Sequence, residues 1–326
     1  MKIMRKICWA LLTLGMCVAS TGVQAQAGGG KLVTLVVPFA AGGAVDSVAR
    51  LFASNYETQS GQKMLVQNRP GAGAYIGSAF VAQAAPDGQT LLLSAFAAMH
   101  ANLFVKDLPI DIGRSLMPIG TVAIGPQFLM GSSSLPVKNL AEFVAYARQN
   151  PGKLNAGVIS NTTDHLNTLI FLRAAKIDVL TVPYNSGTDG LKALVGGELQ
   201  LFLSTRNGIL APQIQAGKII PLAVIGNERS ELQSDVATTR EQGVPMDTLT
   251  ALYAVFGPLG LPQAMVTSMN KQIHAAVSGQ TMRERLFTQG MLPPKIASSA
   301  EDLGARFAKE LKDMKDAATQ FGIKPQ

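Results

Sequence analysis

Short β-branched apolar runs alternate along this chain with segments whose apolar residues return every three or four positions, and glycine or proline separates most of them. Lys31 to Phe39 (KLVTLVVPF) ends at Pro38, Gly42-Gly43 follows, and Asp46 to Ser60 has helical spacing; this reads as buried strand, glycine turn, helix. Lys63 to Asn68 predicts a second strand, Pro70 to Gly73 a turn and about Tyr75 to Ala84 a helix. After Pro86-Asp87-Gly88, Thr90 to Ser94 predicts a third, buried strand. Strands and helices alternating at this spacing imply parallel pairing through right-handed crossovers.

The same alternation returns further along. Ile119 to Met130 is a long apolar stretch, Asn139 to Gln149 a helix stopped by Pro151-Gly152, and Lys153 to Ile159 a strand. Thr163 to Ala175 is helical, Val179 to Pro183 extended, Asp189 to Gly196 helical, and Leu199 to Ser204 and Ile219 to Ile225 are short strands. Leu249 to Phe256 is a further apolar run, Pro262 opens a helix, and Ser299 to Phe321 is helical with charge pairs four residues apart. The pattern predicts an α/β protein of two similarly built units. Ile119–Met130 and Leu249–Phe256 are expected to cross between them. Residues 31–125 plus 249–326 then form a discontinuous first domain and 126–248 the second. Chains of about 300 residues usually divide in this way.

The N-terminus follows another rule. Lys2, Arg5 and Lys6 precede the apolar run Ile7 to Ala19, and small residues lead to Val23-Gln24-Ala25-Gln26-Ala27. This reads as a secretory signal over residues 1–25, cleaved after Ala25 or Ala27. Its 13 apolar residues fall short of the roughly 20 a spanning helix needs. Met16 before Cys17 fits a lipoprotein site poorly.

Removing 25 of 326 residues leaves 301 and takes away both cysteines and the one tryptophan, so no disulfide, thiol nucleophile or thiolate metal site is expected. The charge falls from +7 to +4 with the loss of Lys2, Arg5 and Lys6. It is spread thinly, without the basic blocks of nucleic-acid binding. His100, His165 and His274 show no metal spacing, and no Gly-x-Ser-x-Gly elbow occurs. No cofactor or metal is expected, and an enzyme has little to work with.

Three loops carry candidate chemistry. Pro38 to Asp46 places glycines between a strand end and a helix start, where backbone N–H groups and the positive helix end attract anions; the alternative is a tight turn with Asp46 neutralising the helix. Gly71-Ala72-Gly73 with Gly77 has a dinucleotide-like spacing but follows the second strand, which favours a second ligand-facing loop. Ser160 to His165 mirrors the first loop in the second unit: its hydroxyls and amide either cap a helix or hold a solute, and His165 is either a switch or a structural residue.

Taken in order, VVPFAAGGAVDSVAR (36–50), VQNRPGAGAYIG (66–77), AAPDGQTLLLS (84–94), DHLNTL (164–169), VPYNSGTDGLKALVGGELQLFLS (182–204) and IQAGKIIPLAV (214–224) resemble the Bug family, extracytoplasmic solute receptors of tripartite tricarboxylate transporters. The resemblance implies a type II periplasmic binding fold whose two α/β lobes close on a small carboxylate. It implies a pincer of Phe39, Ala40, Gly42, Gly43 and Asp46 against Asn161, Thr162 and His165, with Ala72, Ser94, Ala95 and Tyr184 lining the rest. It further implies a periplasmic monomer served by membrane transporter subunits; an orphan receptor acting as a sensor, or an exported enzyme acting on small acids, are the alternatives. The family's frequent Pro-Tyr-Lys-Gly is here Pro183-Tyr184-Asn185-Ser186, and its acidic residue at the next strand end is replaced by Ser204-Thr205, with Arg206 beside it. Arg206 either meets a second acidic group of the solute or is a surface arginine.

Overall fold

The structure is a computed structural model that describes residues 32–159, 162–184, 186–205, 210–246, 251–294 and 298–323. The expected signal segment, Asn161 and Arg206 lie outside the described residues.

The first half runs β1 (Val33–Val37), α1 (Ala44–Ser60), β2 (Met64–Asn68), α2 (Tyr75–Ala82), β3 (Thr90–Ala95), a 3-10 stretch (Phe96–Leu103), α3 (Ile112–Ser115) and β4 (Leu116–Gly125). The chain continues through β5 (Gln127–Ser132), α4 (Leu140–Gln149), β6 (Asn155–Ile159), α5 (Thr163–Ala175), β7 (Leu180–Tyr184), α6 (Gly187–Gly196), β8 (Leu201–Thr205), α7 (Leu210–Gln215) and β9 (Ile219–Val224). It closes with β10 (Ala251–Pro258), α8 (Gln263–Val277), α9 (Gln280–Thr288) and α10 (Ala300–Gln320).

Among the described residues, ten strands form two five-stranded sheets, β2-β1-β3-β10-β4 and β7-β6-β8-β5-β9. In each, the first three strands are parallel and the fourth runs antiparallel to both its neighbours. The antiparallel member comes from elsewhere in the chain: β10 returns to the first sheet after the second is complete, and β5 enters the second directly from β4. Strand period then explains the near-continuous apolar runs. Leu35, Leu91 and Leu93 join Phe52 of α1 and Ile273 of α8 on one face, while Val36 and Leu92 join Phe96, Phe256 and Phe307 on the other. Both faces are covered, so both sets of positions must be apolar.

The Ile119–Met130 stretch is two strands rather than the single one its hydropathy suggests. Proline lacks the N–H that a central strand needs; β4 ends at Gly125, β5 starts at Gln127, and the chain changes sheet at Pro126.

The C-terminal helix contacts both units. Ser299 caps α10, accepting from Asp302 N at 3.0 Å, and its buried stripe is Leu303, Phe307, Glu310, Met314 and Ala318. Leu303 and Phe307 pack on the first sheet's core, Phe307 edge-on to Phe96 at 5.0 Å. Met314 and Ala318 pack against Leu166 and Ile170 of α5. Burial of a phenylalanine or methionine is worth about 1.5–3 kcal/mol, so both ends of this strap are held firmly despite its charged outer face.

Candidate functional site

The carboxyl ends of the parallel strands and the helix starts that follow them place the candidate residues. In the first unit, Gly42 takes φ +82°, and its N–H donates to Asp46 Oδ2 at 2.9 Å. The same carboxylate accepts from Arg50 Nε at 3.0 Å and Asn68 Nδ2 at 2.9 Å, and Asn68 Nδ2 also donates to Phe39 O at 3.1 Å. Burial pushes the Asp46 carboxyl up, but the bonds from Arg50, the Gly42 amide and Asn68 outweigh it and hold the group below its usual range. Asp46 is only 3% exposed and shapes the loop from beneath. Phe39 is half-buried and packs on the core behind it, and Ala40 is exposed. The N-cap of α1 is Gly43, which has no side chain to satisfy the first-turn amides; they are left for water or a ligand.

The neighbouring loop is strained. Ala72, Gly73 and Ala74 all have positive φ (48°, 62° and 78°), a conformation disfavoured for alanine by about 1–2 kcal/mol. Such strain is a feature of functional loops. Gly77 lets α2 approach closely, since a Cβ there would lie 2.7 Å from Arg69 O and 2.9 Å from Pro38 Cα. At the end of β3, Ser94 is fully buried with no partner for its hydroxyl, while Ala95 is half-buried.

In the second unit, Thr162 caps α5: its Oγ1 accepts from His165 N at 3.4 Å and donates to Ile159 O at 2.7 Å. His165 is half-buried, and burial lowers its pKa. Beside it, Asp164 accepts from Gln127 Nε2 at 2.7 Å; burial raises this carboxyl above its usual value and the Gln127 bond only partly offsets that. Tyr253 of β10 is pushed up to about 12 by burial first and by the charge of Asp164 second. Tyr184 is half-buried against its own core. Ser186 caps α6, accepting from Asp189 N at 3.2 Å.

A cleft of about 460 Å3 opens between the two units. Its walls are Gly42, Gly43, Ala44 and Ser47 on one side and Gly187, Thr188, Leu191 and Ser204 on the other, with Thr288, Gln289 and Met291 at one end. The starts of α1 and α6 therefore face the same space. Among the described residues lining it, none carries a charged side chain. Of the residues singled out from the sequence, Gly42, Gly43 and Ser204 meet here; Phe39, Ala40, Asp46, Ala72, Ser94, Ala95, Thr162, His165 and Tyr184 are not part of this wall. Ser47, Gly187, Thr188, Thr288 and Gln289 went unrecognised. The Ser186-x-x-Asp189 capping pattern could have flagged Gly187 and Thr188, whereas Thr288 and Gln289 arrive from the distant α9 with no local signal. A second cavity, of about 500 Å3, adjoins Pro126 and the Glu231–Arg283 ion pair (2.9 Å), away from these loops.

Residues 48–320 match the family model described as tripartite tricarboxylate transporter family receptor. The chain is 30% identical over 318 residues to a UPF0065 protein of Bordetella pertussis, covering 97% of each. Among solved structures, it superposes on the periplasmic binding protein BugD with a TM-score of 0.76 at 26% identity, covering 90% of this chain and 99% of that one. It superposes on Rpa4515 of R. palustris, solved with adipate, with a TM-score of 0.79 at 30% identity, covering 90% and 98%. The chain belongs to the tripartite tricarboxylate transporter receptor family, the Bug-type receptors that its ordered motifs resemble.

Proposed function

We propose that this protein captures a small carboxylate in the 460 Å3 cleft and delivers it to the membrane subunits of a tripartite transporter. The observation that carries the reading is the convergence of two helix starts, α1 with no side-chain cap and α6, on one cleft whose described lining is uncharged. Backbone N–H groups and the two helix dipoles then supply the positive field, each dipole worth about 0.3–2 kcal/mol toward an anion. Adipate bound to a relative 30% identical supports the same solute class. On this reading residues 1–25 are a signal removed on export to the periplasm, the protein works as a monomer, and Arg206 meets a second acidic group. Pro126, where the chain passes from one sheet to the other, is a hinge point, so 31–125 with 249–326 moves against 126–248.

The test is a thermal-shift screen of the exported protein against small mono- and dicarboxylates and their amides, with adipate as the first probe. At 100 times Kd a ligand adds about 2.7 kcal/mol, which raises the midpoint by about 4 °C at roughly 2.1 cal/mol/K per residue. Shifts with acids and not with their amides are expected. A flat response to every acid, from protein folded by circular dichroism, overturns the assignment.

A further inference from the structure

A cavity of about 10 Å3 lies where α10, the 3-10 stretch, β5, β10 and α5 converge, bounded by Phe96, Gln127, Thr163, Asn167, Ala251 and Glu310. That volume is about one water-sized sphere, close to the least that admits a water molecule. Asn167 is 2% exposed and Glu310 3%, and neither Asn167 Oδ1 nor Glu310 Oε2 has a hydrogen-bond partner. Two orphaned acceptors on one small cavity call for a group with two donors.

The neighbouring bonds fix the direction. Asp164 only accepts when ionised, so the Gln127 amide presents Nε2 to it, at 2.7 Å. Gln127 Oε1 is thereby turned to accept from Asn167 Nδ2, at 3.4 Å, which leaves Asn167 Oδ1 as an acceptor facing onward. Every donor in this chain points toward Asp164, and its open end needs a donor.

We propose that one water molecule occupies this cavity, donating to Asn167 Oδ1 and Glu310 Oε2, and completes a relay that pins α10 to α5 and β5 across the hinge. Asp164 and Gln127 are then positioning residues: they set the first turn of α5, whose cap Thr162 starts the second jaw. The relay stands on these contacts alone and does not depend on which solute the cleft takes.

Glu310 makes the relay sensitive to protons. Burial, only partly offset by Arg306 and reinforced by Asp313, pushes its carboxyl up to about 7. The other ionisable groups on α5, β10 and the 3-10 stretch packed around it are Asp164, raised by burial, His165, lowered by burial, Arg173, Tyr253, pushed up to about 12, and His100, lowered to about 4 by burial. Because the folded value lies above the unfolded one, the stability supplied by neutral Glu310 is full below about pH 4.5 and is lost as the pH rises through about 7.

Two measurements decide it. A crystal structure of the purified protein at a resolution that shows ordered waters is expected to place one water within hydrogen-bond reach of both oxygens. An empty cavity, or Glu310 bonded directly to Asn167, overturns the proposal. Glu310→Gln keeps a polar partner for the water but does not titrate, and His100, Asp164, His165 and Tyr253 are common to both proteins. The wild-type urea midpoint is therefore expected to fall relative to that of Glu310→Gln between pH 5 and pH 8; parallel profiles overturn the proposal. Should the variant not fold, the wild-type crystal structure alone decides.

Discussion

Asp46 separates two accounts of the glycine loop. As a ligand-facing carboxylate it would matter only when solute is present. As the loop's internal acceptor it matters in the empty protein, because Asp46→Ala removes bonds from Gly42 N, Arg50 Nε and Asn68 Nδ2 together. The three are unequal. The Arg50 side chain is 54% exposed and water replaces its partner, so its share is about 0.5 kcal/mol. Bonds to a charged acceptor contribute about 1.5–3 kcal/mol each; Gly42 is exposed and Asn68 half-buried, so the lower end applies to both. The sum is about 3.5 kcal/mol, lost without ligand and read as a lower urea midpoint in the variant than in the wild-type protein. The folded carboxyl titrates below its usual 3.8, so this contribution is full above about pH 4 and fades as the pH falls through the folded value. The gap between the two proteins should close on acidification. A loss under about 1 kcal/mol without ligand, together with a large loss of affinity, would refute the framework role and return Asp46 to the binding surface.

Gly77→Ala gains up to about 1 kcal/mol of helix propensity but forces a Cβ against Arg69 O and Pro38 Cα, at about 1–3 kcal/mol. A net loss near 1 kcal/mol is expected in urea unfolding, and a midpoint equal to or above wild type would show that the two segments separate freely. If Arg206 meets a second acidic group, Arg206→Ala weakens binding of adipate about tenfold or more, the range of one charge-assisted pair. Unchanged affinity in calorimetry, once adipate binding is established, sinks that role.

The sheets were readable because their signal is local. A strand buried on both faces needs apolar side chains at consecutive positions, as in Leu35-Val36-Val37 or Leu91-Leu92-Leu93, and glycine or proline marks where each one stops. Pro126 was equally visible, yet hydropathy alone ran through it, since the stretches Ile119–Ile124 and Phe128–Met130 on either side are mostly apolar in whichever sheet they belong to. What a single stretch cannot reveal is which sheet a strand joins. β5 and β10 are each paired with strands distant in sequence, so their membership rests on contacts between remote residues.

The cleft shows the same division more sharply. Of its recognised members, Gly42 and Gly43 announce themselves through backbone geometry, the one property a glycine pair at a strand end broadcasts locally, while Ser204 was singled out only through the family resemblance. Asn68 was invisible as a site residue because it works through Asp46 and Phe39, and nothing in VQN indicates that its amide bridges two loops. On the proposed reading, a wall built from amides and small side chains presents nearly the same surface to any carboxylate, so residues that reach the cleft from a distance help to tell one solute from another. Thr288 and Gln289, at the end of a helix some 240 residues beyond the glycine loop, are of that kind. Those two positions lie where sequence motifs are silent. We therefore expect a chain that shares all six ordered motifs with this one to take a different solute through changes at the α9 end or at Arg206.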